Sequence, residues 1–329
     1  MRSRFRILLL FLAVPTFGHT TITVNPGGGA DQTSLSAAEA ALPDPLTDDY
    51  IISCAGATDD TITTGVTINA VTLNGATQYT LEIIGDNTSG LFDANKYTLK
   101  VGNSNITALT LSNNYLTVRN LQVVGGNSAS YNYSGISIGG ATANVTVRNC
   151  IVKDFIRPTT NAGIEFASGT GTGHLVYNNV VTNCEVGIRF SQNGQGEADN
   201  NTVTSCVLYG LYVYRTNSRT LTAQNNLMKG NGTGDDYHQL GSGGTLTTAT
   251  NYTADANSPD TGCANATITF VGAADFHLDA AMSGTLLGTN LSGTFTLDID
   301  AETRSSWYAG VDELPPTTKA TLLIQLLSR

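Results

Sequence analysis

The sequence predicts an all-β protein, a parallel β-helix in which short strands wind into a solenoid of stacked coils. Three observations predict this class. Charged residues make up 13% of the 329 residues, and the abundance of Gly, Asn, Thr and Ser is typical of a turn-rich β protein rather than a helical bundle. Two short phrases recur about every two dozen residues, and each alternates apolar with polar residues, as strands with one buried face do.

The first phrase is a glycine followed by a short alternating strand, and successive copies are 28, 24 and 23 residues apart. The copies are GISI at 135–138, GIEF at 163–166, GIRF at 187–190 and GLYV at 210–213. A period in the low twenties indicates a solenoid. Leucine-rich repeats of this length need a dense leucine signature that the chain lacks, and propeller blades are about twice as long. We therefore expect about three short strands per coil.

The second phrase places an asparagine at the end of a strand. Its copies carry Asn120, Asn149, Asn178, Asn200 and Asn225. Asparagine tolerates the left-handed and bridge conformations that bends between strands require. Stacked at the interstrand spacing of about 4.8 Å, such side chains also hydrogen-bond from coil to coil. We expect these five residues to have a structural role and not a catalytic one.

Residues 1–18 predict a secretory signal peptide. A basic stub with Arg2, Arg4 and Arg6 precedes a short apolar run, and small residues stand near Gly18. The run is too short to span a bilayer comfortably. The sequence therefore predicts export, to the cell surface or beyond it. An uncleaved anchor is the alternative.

The charge balance excludes several partners. The formal net charge is −10, and removal of the three N-terminal arginines takes it to −13. No basic run remains, so we expect no nucleic acid as partner. The glycine-rich stretch at 25–31 precedes a short helix and not a phosphate-binding unit, so we expect no nucleotide either.

The five cysteines show no C-x-x-C spacing, which argues against a structural zinc site of that kind. Cys184 and Cys206 stand at equivalent places on successive coils, near the separation that a disulfide tolerates. Either a disulfide between them or two free buried thiols fits this arrangement.

The repeats, together with both ends of the mature chain, resemble the right-handed parallel β-helix, or pectin-lyase-like, superfamily, and in particular its uncharacterised exported members. The stretch TITVNPGGGADQTSLSAAEAAL at 21–42 resembles the first strand, glycine-rich loop and short helix of such proteins. The segment at 274–316 resembles their closing segment, which runs F-H-L, then D-x-D-G-x-x-R, then G-A-D-E. Here Asp298, Asp300 and Arg304 match, whereas Ala301 replaces the usual glycine.

The resemblance implies a domain organisation. We expect a right-handed parallel β-helix over 19–245, with a helix near 34–42 that closes its open end, as exposed edge strands require. A C-terminal β-rich cap over 246–316 and a short helical tail over 317–329 follow.

Oxygen ligands for calcium are available near the C-terminus in Asp298, Asp300, Asp312 and Glu313. The alternative is a carboxylate–Arg304 network that ties the cap together. Calcium is the one cofactor that the sequence admits, and no other metal site is predicted.

Candidate site residues follow from the repeat. In each G-I-x-x strand the third position points outward, which stacks Ser137, Glu165, Arg189 and Tyr212 on one outer wall. Two positions further on come Gly139, Ala167, Ser191 and Tyr214, with Arg215 beside them. Extrapolation by one coil brings Asp235, Asp236, Tyr237 and His238 to the same face.

This face supplies the aromatic rings, cations and carboxylates that carbohydrate recognition uses. In enzymes of the resembling group that cleave uronate polysaccharides by β-elimination, a cation or arginine neutralises the uronate carboxylate and a basic group takes the C5 proton. That resemblance implies Arg189, Tyr212 and His238 as catalytic residues, with Glu165, Tyr214, Arg215 and Tyr237 binding substrate. The alternative is an ordinary cross-strand ion pair between Glu165 and Arg189, beside tyrosines placed there by β propensity.

Other catalytic patterns are missing from the sequence. There is no G-x-S-x-G elbow, His174 lacks the aspartate pair of polygalacturonase-like hydrolases, and no aspartate cluster like that of calcium-dependent pectate lyases follows the Glu165 face. Two hypotheses of different class result. The first is an exported protein that binds or acts on extracellular polysaccharide, as a lyase on uronate-containing glycans in its specific form. The second is a non-catalytic surface or matrix protein for adhesion or self-association.

Overall fold

The computed structural model describes residues 19–312 apart from 71–72, 75–76, 103–104, 127–133, 140–141, 157–160, 168, 170, 193, 215–218, 233–234, 273, 283 and 305–306. The predicted signal peptide over 1–18 and the predicted tail over 317–329 lie outside the described residues. Within the described residues, none of the helices combines the length and apolar composition needed to cross a bilayer.

Three parallel sheets form the walls of a solenoid of about eight turns. Sheet 1 contains His19–Val24, Asp49–Cys54, Leu81–Ile84, Leu116–Arg119, Thr146–Arg148, Leu175–Tyr177, Gly196–Asp199, Thr220–Gln224 and Thr245–Ala249. Sheet 2 contains Asp60–Ile62, Thr98–Val101, Gln122–Val124, Ile151–Lys153, Val180–Thr182, Thr202–Thr204, Leu227–Lys229 and Tyr252–Thr253. Sheet 3 contains Val66–Ile68, Leu109–Leu111, Ile136–Ile138, Ala162–Phe166, Val186–Phe190, Tyr209–Tyr214 and Tyr237–Leu240. Leu73–Asn74 and Thr77–Gln78 pair as a small antiparallel hairpin.

Each complete coil contributes one strand to each sheet, and each strand pairs with its counterpart in the next coil. Alternate residues point into the coil, where leucine, isoleucine and valine form a continuous core. Phe166 and Phe190 stack within it on successive coils, with ring centroids 4.3 Å apart. The predicted all-β parallel β-helix is confirmed.

The asparagines that end the second phrase lie at the turn between sheets 1 and 2. All five adopt the left-handed conformation, with φ between 51° and 57°, as predicted for bends. Hydrogen bonding between their side chains is seen for one pair, Asn225 Nδ2 to Asn200 Oδ1 at 3.1 Å. We call these five residues the turn asparagines.

A second set of asparagines, which the sequence analysis missed, forms the coil-to-coil ladder. In this inner ladder Asn179 donates to Asn201, Asn201 to Asn226, and Asn226 to Asn251, at 2.7–3.0 Å. Each ladder member immediately follows a turn asparagine or its equivalent, so the repeated "NN" pairs were the available signal. The two neighbouring asparagines thus have different roles. The turn asparagine forms the bend, and the inner-ladder asparagine hydrogen-bonds to buried backbone groups.

A short helix, Leu35–Ala40, contacts the first strands of the solenoid. Ser34 caps it by accepting a hydrogen bond from the Ala37 N–H, and Leu35 and Ala38 are fully buried. Asp60 accepts hydrogen bonds from the Leu35 N–H and from the Tyr97 hydroxyl. These contacts attach the helix to the coil; its role in closing the open end stays a prediction.

The parallel strands of the solenoid run past the predicted boundary at residue 245. Thr245–Ala249 and Tyr252–Thr253 pair in parallel with the preceding coil, so the solenoid continues to Thr253. Residues 254–312, here called the C-terminal segment, carry a 3-10 turn at Ala280–Met282 and isolated bridges among their described residues, instead of the predicted β-rich cap.

The C-terminal segment lies along the turn asparagines. Asn149, Asn178, Asn200 and Asn225 each donate a side-chain hydrogen bond to one of its carbonyl oxygens, at 2.7–3.1 Å. The segment follows this row because the amides need acceptors, and an irregular chain supplies carbonyls at the required positions.

All five cysteines are buried and have free thiols. The Cys184 Sγ lies 3.3 Å from the Thr182 carbonyl oxygen, and the Cys206 Sγ lies 3.6 Å from that of Thr204. The structure thus has the free-thiol form of the two alternatives for Cys184 and Cys206.

Candidate functional site

The predicted outward row lies in register on sheet 3. Ser137 pairs with Glu165, Glu165 with Arg189, Arg189 with Tyr212, and Tyr212 with His238. Adjacent members are thus one interstrand spacing apart, about 4.8 Å. Their neighbours within each strand, such as Ile188 and Phe190, are buried in the core. We call these five residues the outer row; the structure brings them together on one wall.

The centre of the outer row is a partly buried ion pair. Arg189 Nη2 lies 2.8 Å from Glu165 Oε1, and the two side chains are 21% and 15% exposed. Arg189 Nε also donates to Ser191 Oγ at 3.1 Å. Glu165 accepts further hydrogen bonds from the hydroxyls of Ser191 and Ser134. The guanidinium is therefore held in place by its own neighbours.

Three rings stack beside this ion pair, and we call Tyr209, Tyr212 and His238 the aromatic stack. Ring centroids lie 5.3 Å apart for Tyr209–Tyr212, 4.4 Å for Tyr209–His238 and 5.5 Å for Tyr212–His238. The sequence analysis missed Tyr209. The signal was available, because the residue before the repeat glycine is Tyr209 here but serine, alanine or valine in the other copies.

Partial burial raises the pKa of the Tyr212 hydroxyl, and the neighbouring Tyr209 adds to the effect, although Arg189 opposes it. His238 Nδ1 lies 3.6 Å from Asp235 Oδ2. Asp235 also accepts a hydrogen bond from the Asn257 side chain. The stack thus presents three nearly parallel rings with a carboxylate at its margin.

Two residues extrapolated to this face lie elsewhere. Tyr237 is in register with the inward-facing Leu211 and packs against the core, so it is not part of the outer row. Asp236 is buried and accepts hydrogen bonds from the backbone and side chain of Asn231 and from the Ala254 N–H. For Tyr237 the cause is the two-residue period of a strand, in which neighbours of an outward residue point inward; Asp236 precedes the strand Tyr237–Leu240.

The remaining predicted substrate residues lie at the margin or outside the described residues. Tyr214 is partly exposed and pairs with Leu240, two positions along the strand from Tyr212. Arg215 falls outside the described residues.

The predicted calcium ligands lie far along the chain from sheet 3, in the C-terminal segment. Asp300 and Asp312 come together with His277, which the sequence analysis did not include among the ligands, and one ligand atom from each lies within 4.8 Å of the others. Asp298 is buried next to them. Glu313 falls outside the described residues. His277 is the histidine of the F-H-L motif in the closing segment. It lies 23 residues before Asp300 in the sequence, so the contact between the two was not predicted.

Arg304 ties the C-terminal segment together through carbonyl oxygens and an asparagine amide. Its Nη2 donates to Asn178 Oδ1 at 3.0 Å and to the carbonyl oxygens of Gly310 and Val311 at 3.0 and 2.8 Å. The predicted structural network around Arg304 therefore joins the segment to a turn asparagine.

A cavity of about 180 Å³ lies beside His174, at the corner where sheet 3 passes into sheet 1. His174 is buried, and this burial lowers the pKa of its imidazole. Its Nδ1 lies 3.4 Å from the Val145 N–H donor. The neutral ring therefore accepts a hydrogen bond from the backbone beside this cavity.

Comparisons with known proteins identify the fold. The family described as "Right handed beta helix region" matches residues 54–258. Among solved structures, pectate lyase Pel9A is similar over 90% of this chain and 96% of that chain, with 12% sequence identity and a TM-score of 0.38. None of the curated protein sequences matches the chain. The likeness to Pel9A is too low to carry an argument about activity.

Proposed function

This chain belongs to the right-handed β-helix family, and we propose that the outer face of its sheet 3 binds an extracellular polysaccharide. The observation that carries the proposal is the aromatic stack next to the Arg189–Glu165 ion pair. Stacked rings offer an apolar plane for the C–H face of a sugar, and the ion pair offers charged hydrogen-bonding groups for its hydroxyls.

The geometry favours binding over cleavage. In a lyase, Arg189 would neutralise a uronate carboxylate, but here its Nη2 is engaged by Glu165 at 2.8 Å. A tyrosine base must lose its proton, yet partial burial raises the pKa of Tyr212. Its hydroxyl therefore stays protonated at neutral pH. Cleavage of uronate glycans by β-elimination is the more specific form of the proposal, and it requires a substrate that displaces Glu165.

The test is a binding and turnover screen of the purified chain against pectin, alginate, glycosaminoglycans and neutral glucans. We expect binding to at least one glycan, and Tyr212→Ala to weaken it at least about tenfold, a change of about 1.4 kcal/mol. Formation of unsaturated products that absorb ultraviolet light, lost in both Arg189→Ala and Tyr212→Phe, would establish a lyase. Binding that is unchanged in Tyr212→Ala contradicts the proposed site.

The extracellular setting depends on residues 1–18. We propose that these residues direct export and that cleavage follows Gly18. N-terminal sequencing of the protein recovered outside the cell tests this, with His19 expected as the first residue. Recovery of the intact N-terminus in the cytosol contradicts it.

Self-association of a non-catalytic matrix protein is the second candidate, and the open sheet edges favour it. Tyr237–Leu240 is the last strand of sheet 3, and Leu240 on it is 46% exposed. An unprotected edge strand accepts a further strand from another copy. Sedimentation velocity over a range of concentrations tests this candidate. It requires assemblies whose size grows with protein concentration. Leu240→Lys places a charge on the edge strand and should disperse them.

A further inference from the structure

Three stretches of the C-terminal segment, distant in the sequence, meet at one point beside the coil. His277, Asp300 and Asp312 each bring a potential metal-binding atom to within 4.8 Å of the other two. Asp300 Oδ1 also accepts the Gly90 N–H at 3.0 Å, in the connection from sheet 1 to sheet 2. The meeting point therefore joins the C-terminal segment to the second coil of the solenoid.

The His277 ring is oriented as in a metal site. Its Nδ1 lies 2.5 Å from Asp275 Oδ1, and its Nε2 lies 2.8 Å from Asp300 Oδ2. Histidines that bind metals usually give their second ring nitrogen to a carboxylate, which fixes the tautomer and the direction of the ring. Asp275 performs this function here and leaves Nε2 facing the carboxylates.

An orphaned buried oxygen next to these residues is an independent observation. Asp298 is 1% exposed. Its Oδ1 accepts the N–H groups of Asp300 and Glu302 at 3.1 and 2.8 Å, whereas its Oδ2 has no hydrogen-bond partner among the described residues. Because Asp298 Oδ1 accepts the Asp300 N–H, Asp298 lies directly beside this ligand. A buried carboxylate oxygen without a partner requires an explanation, and a cation nearby supplies one.

The charges at this point do not balance. Four carboxylates, those of Asp275, Asp298, Asp300 and Asp312, gather around one imidazole, which supplies at most one positive charge. Arg304 adds one further positive charge, which acts on Asp298, while its Nη2 donates to carbonyl oxygens and to Asn178. Buried carboxylates need a partner charge or a metal ion.

We propose that His277 Nε2, Asp300 and Asp312 bind a divalent metal ion of the zinc class, with Asp275 orienting the imidazole and Asp298 buried beside them. A nitrogen ligand and a set of three protein ligands favour zinc over calcium, which prefers six to eight oxygen atoms. The ion replaces the proton that otherwise joins His277 to Asp300. Its role is structural, because its ligands come from three stretches of the C-terminal segment and one of them is bonded to the coil.

The first measurement uses the unmodified chain, freed of metal with a chelator and then titrated calorimetrically with zinc chloride. We expect one zinc ion per chain and no displacement by excess calcium. We also expect a melting temperature that rises with the zinc concentration, as it does for any ligand that binds the folded state. Absence of both the heat of binding and the rise in melting temperature overturns the proposal, as does displacement of zinc by calcium.

Variants then locate the site. Asp275→Asn should weaken zinc affinity about 10- to 100-fold, as removal of an orienting carboxylate does. His277→Gln and Asp312→Asn should abolish the zinc-dependent rise in melting temperature. His19→Gln is the matched control, since it removes an exposed histidine from the edge of sheet 1, and it should bind zinc normally. Binding that survives His277→Gln, or is lost in His19→Gln, places the ion elsewhere and overturns the assignment.

Discussion

At the scale of single residues, buried amides join neighbouring coils of this solenoid beside its aliphatic core. Asn201 shows why: its Oδ1 accepts from both the backbone and the side chain of Asn179, and its Nδ2 donates to Val176 and Asn226, all within 2.9–3.0 Å. Each member of the inner ladder therefore satisfies groups on the coils before and after it. Loss of one member leaves several buried polar groups without partners.

We expect Asn201→Ala to lower the free energy of unfolding by at least about 1–3 kcal/mol, the cost of one unsatisfied buried polar group. Equilibrium unfolding in urea measures the change. Asn95→Ala, at an exposed turn, is the control and should cost less than about 0.5 kcal/mol. Equal losses of unfolding free energy for the two variants would show that the hydrogen bonds of the inner ladder do not stabilise the fold.

Asp199 gives a residue-scale prediction about pH. Burial, and then the charge of Glu197, raises the pKa of Asp199 to about 7. The folded state thus holds this proton more tightly than the unfolded state does. The resulting stability is complete below the unfolded pKa near 4 and is lost as the pH rises through about 7.

Asp199→Asn should therefore be more stable than the unmodified chain at pH 8, by on the order of 1–4 kcal/mol, and about equal to it at pH 4. The amide oxygen keeps the hydrogen bond that the Gln224 N–H gives to Oδ1. Urea unfolding at both pH values checks this, with Asp59→Asn, an exposed partner of Lys100, as the control. A gain of equal size at pH 4 would contradict the role of the charge.

At the scale of elements, the C-terminal segment is held to the coil by the row of turn asparagines. Asn178 donates to the Leu297 carbonyl at 2.7 Å and accepts from Arg304 at 3.0 Å. Nearby, Phe295 of the segment stacks on Tyr177 of sheet 1, with ring centroids 4.4 Å apart. Polar and aromatic contacts thus fix the same stretch of the segment.

Asn120 is a matched control for Asn178. Both have a left-handed backbone, with φ of 57° and 55°, so alanine introduces similar strain at both. Among the described residues, however, the Asn120 side chain makes no hydrogen bond to the C-terminal segment. We expect Asn178→Ala to lose about 1–3 kcal/mol more than Asn120→Ala and to speed proteolysis within 289–304. Equal losses would mean that the segment is held by other contacts.

The strands could be predicted from the sequence because their alternation and spacing are local and repeat. The path of the C-terminal segment could not, because it depends on carbonyl oxygens meeting turn asparagines more than a hundred residues away. Glycine and asparagine patterns indicate where the chain bends, but they do not indicate which later segment binds at the bend.

The outer row was predictable for the same reason, since position three of each repeated strand projects outward. Extrapolation failed at Tyr237 because it placed four consecutive residues on one face, whereas neighbours in a strand point to opposite faces and His238 takes the outward position. Tyr209 was missed because it precedes the repeat glycine. His277 was missed because its partners come from two other motifs of the C-terminal segment.

At the scale of the whole molecule, the solenoid places two features on different parts of its surface. Sheet 3 carries the outer row and the aromatic stack, whereas the turn between sheets 1 and 2 carries the C-terminal segment and the proposed metal site. The second feature stabilises the scaffold, and the first is the proposed contact with glycan. Loss of zinc should therefore lower the melting temperature more than it changes glycan affinity at low temperature.

The most direct test of the proposed glycan-binding face compares two ion pairs of similar geometry on different walls. Arg189–Glu165 lies on sheet 3, and Arg119–Glu82 lies on sheet 1, with side chains 28% and 26% exposed. In titrations with the glycan that binds best, Arg189→Ala should weaken binding at least about tenfold and Arg119→Ala should leave it unchanged. Equal affinity for the two variants, or a loss confined to Arg119→Ala, would contradict the assignment of sheet 3 as the binding face.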